Sequence, residues 1–212
     1  MLGHKNFWFS LGGGNIIKMY ITPDYYLIKA KQEGYLSRAV YKLIEIDDRF
    51  NVFYKNDLVL DLGAHPGSWS QYASEKIGPK GKILSIDLKP IKLNLEKIIF
   101  IQSDINNLDL DSMILNSKFD HFNVVLSDLA PSTTGNKTTD QSRSYGLATA
   151  ALNLTLKYLS KEGIFVCKLF DCPERDEFNS KLKMHFRKIK VIRPKATRKC
   201  SKELYLVAMN KQ

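Results

Sequence analysis

Four residues far apart in the sequence, Lys42, Asp128, Lys168 and Glu203, each sit where a helical or strand-like stretch meets a loop, and each lies in a distinctive local phrase. The phrases are Ser37-Arg38-Ala39-Val40-Tyr41-Lys42-Leu43, Ser127-Asp128-Leu129-Ala130-Pro131, Val166-Cys167-Lys168-Leu169-Phe170 and Ser201-Lys202-Glu203-Leu204-Tyr205. Two amines and two carboxylates are residue types suited to moving a proton. A lysine serves as general base near neutral pH when burial or a neighbouring cation disfavours its charged form. On that basis Lys168 is the candidate base and Lys42 the cation beside it, with Asp128 and Glu203 orienting the amines while opposing the shift. Any one of them alone would read as an exposed lysine or a strand-end carboxylate. The order Lys-Asp-Lys-Glu in these phrases carries the catalytic reading.

The elements that must position this set follow from periodicity. Ser37 is a good N-cap, and Val40, Leu43, Ile44 and Phe50 recur at helical spacing, which places Lys42 on an early helix. Leu58–Leu62 is a short apolar run that ends in the loop Gly63-Ala64-His65-Pro66-Gly67 and continues into a helical stretch from Ser68 to Ile77. Lys82–Asp87, Ile98–Gln102, Asn123–Ser127 and Ile164–Leu169 read as further buried strands, with helices expected at Leu108–Asn116 and Gln141–Leu159. Alternating strands and helices imply an α/β fold, a parallel sheet covered on both faces. A helix from Glu174 to about Phe186 and two strands, Lys188–Ile192 and Glu203–Met209, complete the chain, the last pair able to run antiparallel.

The glycine-rich turn after the first of these strands lets backbone approach a ligand closely, and the helix behind it points unpaired N–H groups the same way. It lacks the GxGxxG pattern that seats a pyrophosphate, which argues against a nicotinamide-dependent oxidoreductase. Asp87, closing the next strand, is suited to accept hydrogen bonds from the two ribose hydroxyls of an adenosine.

A chain of 212 residues, 44% hydrophobic, fits one well-filled domain, read as residues 24–212 behind an N-terminal extension at 1–23. The net charge of +10 favours a polyanionic partner. From Lys181 to Lys202 there are ten Lys or Arg and no acidic residue, either a solvated basic face or a track for RNA. The three cysteines form no CxxC pair and fit a reducing compartment; the four histidines show no ligand spacing, so no metal is expected. No apolar run is long enough to cross a membrane. Residues 1–23 hold no acidic residue before Asp24; a targeting remnant, an expression scar and an over-extended start with Met19 as the alternative beginning all remain open. A mitochondrial or other organellar location is favoured, with the cytoplasm the alternative.

Taken together, the four phrases and the glycine loop resemble the FtsJ/RrmJ-type methyltransferases, from about Asp24 to Ala208. That resemblance implies transfer of a methyl group from S-adenosylmethionine to a ribose 2′-hydroxyl of RNA, on a Rossmann-like methyltransferase fold with a mostly parallel seven-stranded sheet. It implies catalytic roles for Lys42, Asp128, Lys168 and Glu203. Gly63-Ala64-His65-Pro66-Gly67-Ser68-Trp69 is similar to the family's GAxPGGW phrase, departing at His65 and Ser68, so Gly63, Pro66, Gly67 and Trp69 are implied to line the cofactor. Asp87, Asp104 and Asp128 join them, Asp104 facing the adenine and Asp128 the reacting methyl. Arg38, Lys195, Arg198 and Lys199 are the RNA-binding candidates. The C-terminal phrase Arg193–Tyr205 and Cys167-Lys168 look more like the bacterial and organellar large-subunit ribosomal RNA branch, which implies a uridine in structured RNA as target and a monomeric enzyme. The stretch Tyr26–Tyr35 looks more like the tRNA branch, and a non-catalytic RNA-binding protein is the alternative from another class.

Overall fold

The computed structural model describes residues 6–11, 15–20 and 24–212 apart from 108, 118 and 199. Near the start β1 (Asn6–Leu11) and β2 (Asn15–Tyr20) pair antiparallel, Leu11 opposite Asn15. The remainder of the expected extension lies outside the described residues. Then α1 (Tyr25–Gln32), whose N-cap Asp24 accepts from Leu27 N–H, leads to α2 (Val40–Phe50), β3 (Leu58–Leu62) and α3 (Ser68–Lys76). β4 (Lys82–Asp87), β5 (Ile98–Gln102), α4 (Leu110–Asn116), β6 (Phe122–Ser127) and α5 (Lys137–Tyr158) continue the alternation. β7 (Leu159–Phe170), α6 (Arg175–Lys183), β8 (Phe186–Ile192) and β9 (Glu203–Lys211) end it.

The seven strands from β3 onward form one sheet in the order β5-β4-β3-β6-β7-β9-β8. Six run in one direction; β9 is inserted antiparallel between β7 and β8. The expected mostly parallel seven-stranded sheet is therefore present. Its apolar runs are buried on both sides because side chains alternate along each strand and helices cover both faces. Val59, Ile83, Val124, Val166 and Tyr205 pack with α1, α2 and α3; Leu60, Leu84, Val125, Phe165 and Leu206 pack with α4, α5 and α6.

Several boundaries differ from the sequence reading: α5 starts at Lys137 and not Gln141, β7 at Leu159 and not Ile164, and two more bear on the site or the core. Ser37 is not the N-cap of α2, which starts at Val40 behind Ala39. Residues 37–42 form a tight turn with bonds from Val40, Tyr41 and Lys42 N–H to the carbonyls three residues back, and Ser37 Oγ accepts from Ala39 N–H instead. At the other end α6 stops at Lys183. Phe178, Leu182 and Phe186 are spaced four apart and all buried, but Phe186 reaches the core as the first residue of β8.

Candidate active site

Strand order decides where a ligand can sit. From β3 the chain steps outward one way to β4 and β5, then returns to β6 on the other side, and the loops beyond β3 and β6 diverge. A crevice opens there, outside the carboxyl ends of the strands. It is a cavity of about 880 Å³, lined among others by Gly63, Asp87, Asp104, Asp128 and Arg143. Gly63 is needed for its floor: at φ +80 a Cβ would lie 2.9 Å from the backbone nitrogen of Leu129.

Asp87 is aimed by backbone. His65 N–H donates to its Oδ2 at 2.9 Å and Lys89 N–H to its Oδ1 at 2.8 Å, and each oxygen keeps acceptor capacity for the cavity. Asp104 is held similarly, its Oδ1 accepting from the backbone and side-chain amides of Asn106. If Asp87 holds two ribose hydroxyls, Asp87→Ala should weaken S-adenosylmethionine binding by about 1 to 3 kcal/mol, read by calorimetry. An unchanged dissociation constant would remove it from that role.

The rest of the glycine phrase does something else. Among the described residues the cavity lining includes neither Pro66, Gly67 nor Trp69. Trp69 is 2% exposed; its indole N–H donates to Ala39 carbonyl at 2.9 Å and its ring packs 5.8 Å from Tyr205. Its side chain thus braces α2 against β9, which leaves its backbone N–H as the group it can offer a cofactor. What remains for the loop is its backbone N–H in the first turn of α3, where no intrahelical acceptor exists. Gly67, at φ +118, leaves no room for a Cβ beside Leu93. The two departures from the family phrase are accommodated: Ser68 Oγ lies 2.7 Å from Ser37 Oγ, and His65 Nδ1 lies 2.8 Å from Pro90 carbonyl.

The Lys-Asp-Lys-Glu set assembles as two pairs around a residue the sequence reading left without a role. Lys168 Nζ lies 3.0 Å from Asp128 Oδ1 and donates to Asp128 carbonyl at 2.6 Å. Lys42 and Glu203 form an ion pair. Between them is Tyr205, whose hydroxyl donates to Asp128 Oδ1 at 2.7 Å and whose ring lies under Lys42 Nζ at 5.7 Å. Strand geometry explains the convergence. Tyr205 is opposite Lys168 in the β7–β9 ladder, and Glu203, two residues earlier, shares its face, the face that α2 covers. That period-two spacing was the signal available in the sequence. Burial, then the charges of Asp128 and Glu203, hold the Tyr205 phenol well above its ordinary range, which keeps it a donor.

A second residue the reading passed over lies beneath the glycine loop. Asp61 on β3 is wholly buried; its Oδ2 accepts from Ser70 Oγ at 2.5 Å, and Ser70 Oγ lies 2.8 Å from Ser85 Oγ. Its Oδ1 has no hydrogen-bond partner among the described residues. Burial pushes its carboxyl up to about 7; the Ser70 hydrogen bond opposes this, and Asp128 and Asp87 add to it.

Of the RNA-binding candidates, Lys195 and Arg198 are exposed on the β8–β9 connection, while Lys199 lies outside the described residues. Arg38 is largely sheltered: its guanidinium holds the Asp24 carboxylate and the Ala196 carbonyl and lies over the Tyr26 ring. It fastens the basic connection to α1, together with a bond from Lys195 N–H to Glu45 on α2.

The sequence model of the FtsJ-like methyltransferases matches residues 35–211. This chain belongs to that family. Among curated relatives of this FtsJ-like chain, the ribosomal RNA large subunit methyltransferase E of Bdellovibrio bacteriovorus is 44% identical over 91% of this chain and 99% of its own length. That of Coxiella burnetii is 40% identical over 87% and 89%. A crystal structure described as a ribosomal RNA methyltransferase from Plasmodium falciparum superposes with TM-score 0.75 at 31% identity, over 84% of this chain and 98% of that one. The methyl donor of FtsJ-like enzymes is S-adenosylmethionine. The residues present suit it: the cavity has room for a nucleoside with an amino-acid arm, a backbone-aimed carboxylate at Asp87 for ribose, and carboxylates for a cationic ligand.

Proposed function

We propose that this FtsJ-like chain, acting as a single copy, methylates a ribose 2′-hydroxyl of large-subunit ribosomal RNA, at a uridine. The observation that supports it best is the position of Asp128, which borders the donor cavity on one side and pairs with Lys168 on the other. The names of the bacterial relatives favour ribosomal over transfer RNA.

Bound in the cavity, S-adenosylmethionine supplies a methyl group activated by its sulfonium. Everything else is the work of side chains. Asp87 would hold the donor's ribose and Asp104 its adenine, while Asp128, on the cavity wall, keeps the Lys168 amine beside it. Lys168 takes the proton of the ribose hydroxyl as the oxygen attacks in line. The carboxylate and carbonyl of Asp128, already touching Nζ, stabilise the ammonium that forms. Lys42, fixed by Glu203, supplies positive charge for the oxygen that loses its proton. Much of the rate comes from holding oxygen, carbon and sulfur collinear.

RNA would approach across the β8–β9 connection. Lys195→Glu with Arg198→Glu should weaken RNA binding and flatten the log-log salt dependence by about one to two units, with S-adenosylmethionine binding unchanged. A slope equal to wild type would mean that RNA enters elsewhere. The target is decided by mapping 2′-O-methyl sites in cells lacking the protein. Loss of a site in large-subunit ribosomal RNA is expected; loss confined to a tRNA anticodon loop would overturn the substrate while leaving the chemistry standing.

A further inference from the structure

We propose that Asp61 is a positioning residue that distinguishes the donor from its demethylated product: partly protonated in the free protein at neutral pH, it ionises when the cationic donor binds above it and takes its proton back once the sulfonium charge is gone. The proposal rests on the donor occupying the cavity at β3 and β6, as argued above.

The geometry comes first. Asp61 is wholly buried, yet only Oδ2 is satisfied, by Ser70 on α3, while Oδ1 points at no donor. A permanently ionised carboxylate in such a place would be expected to carry partners on both oxygens. The next two residues, Leu62 and Gly63, line the cavity. The charged groups that face Asp61 are both carboxylates on the same rim: Asp87 at the end of β4 and Asp128 just past the end of β6. From α3 the hydroxyl of Ser70 reaches it and the Ser70 backbone N–H also favours its charged form; from within β4 the Ser85 hydroxyl acts through Ser70. Three carboxylates therefore converge on one floor, and the buried one is held toward its neutral form first by burial, with the charges of the other two adding to it.

S-adenosylmethionine carries a sulfonium and an ammonium against one carboxylate, a net positive charge that S-adenosylhomocysteine lacks. Bringing that charge to the floor relieves the repulsion among the carboxylates and favours ionised Asp61. The O–H bond of the Asp61 carboxyl breaks and its proton leaves for water; nothing is oxidised or reduced. After transfer the floor is again over-supplied with negative charge. Asp61 then recovers a proton, equal in number to the one the ribose hydroxyl has given up, and the product is held less firmly than the donor.

The test is titration calorimetry of the full chain at neutral pH in two buffers of different ionisation enthalpy. Wild type should release about half a proton on binding S-adenosylmethionine and clearly less on binding S-adenosylhomocysteine. Asp61→Asn keeps an acceptor for Ser70 but cannot ionise. It should lose the difference in proton release between the two ligands, and bind the donor on the order of tenfold more weakly with the product changed less than about twofold. Equal proton release in wild type and variant, or equal weakening of both ligands, overturns the proposal. Should the variant not fold, the infrared carbonyl band of a protonated carboxyl decides in wild type. It must be present in the free protein and fade on adding donor but not product, and its absence or persistence is a refutation. Failure of S-adenosylmethionine to bind at all would overturn the assignment of the cavity, and this inference with it; binding without differential proton release overturns this inference only.

Discussion

Lys168→Ala is expected to fold, to bind S-adenosylmethionine with near wild-type affinity, and to transfer methyl groups on the order of 10² to 10⁴ times more slowly. Lys168 is almost fully buried at the end of β7, its amine bonds Asp128, and it is not among the residues that line the cavity, so removing it takes nothing from the described cavity wall. Asp128 keeps its hydrogen bond from Tyr205 and its place at the rim. Lys168→Arg separates two explanations. An arginine retains the positive charge but cannot give up its proton, so a base role leaves this variant as slow as the alanine, whereas a merely electrostatic role restores most of the rate. Single-turnover transfer of labelled methyl to RNA measures both. Substantial turnover by Lys168→Ala removes the lysine from the role of base.

The second large effect is on stability. A carboxyl held at about 7 in the folded chain, against 3.8 ordinarily, favours folding where it is protonated and costs about 4 kcal/mol where it must ionise. The sign follows from proton counts: between those values the folded state binds the proton and the unfolded state does not, so stability falls as pH rises. The contribution of Asp61 is full below about 3.8, declines from there, and levels off above about 7. Asn at this position does not titrate. The difference in unfolding free energy between Asp61→Asn and wild type, from urea melts of the free proteins, should therefore move in the variant's favour by up to about 4 kcal/mol between about pH 4 and pH 8. A difference that does not change with pH would show that Asp61 is already ionised, or already neutral, throughout.

What the sequence made legible was set by which signals are local. Leu58–Leu62 and Lys82–Asp87 announce themselves because a buried parallel strand must be apolar on both faces, and each was found within a residue of its place. The four chemical residues were found because each sits in a recognisable phrase, but their pairing was not. Asp128 with Lys168 and Lys42 with Glu203 are contacts made by a sheet register and a helix crossing, neither written in any one stretch. Tyr205 was quoted and given no role, since a tyrosine in an apolar strand reads as core. The second task of Trp69 was equally hidden, since the Ala39 carbonyl its indole reaches lies thirty residues away. Asp61 hid in plain sight between two leucines. Nothing local says whether a strand aspartate meets water, and only the fold shows a serine hydroxyl on one of its oxygens and no partner on the other among the described residues.

The insertion of β9 between β7 and β8 also dictates an order of assembly. Both lysine-bearing elements, and Asp128, precede β9 in the chain, whereas Glu203 and Tyr205 ride on it. A nascent chain can pair its five parallel strands and cover both faces with helices while the inner edge of β7 still shows a row of unpaired backbone groups. Such an edge recruits other strands, its own copies included. Translation must therefore deliver the last strand promptly into its place between β7 and the edge strand β8. A ribosome stalled after β8 would leave a nearly complete domain that is at once catalytically unfinished and adhesive, so premature termination here yields an aggregating fragment rather than a weakly active enzyme.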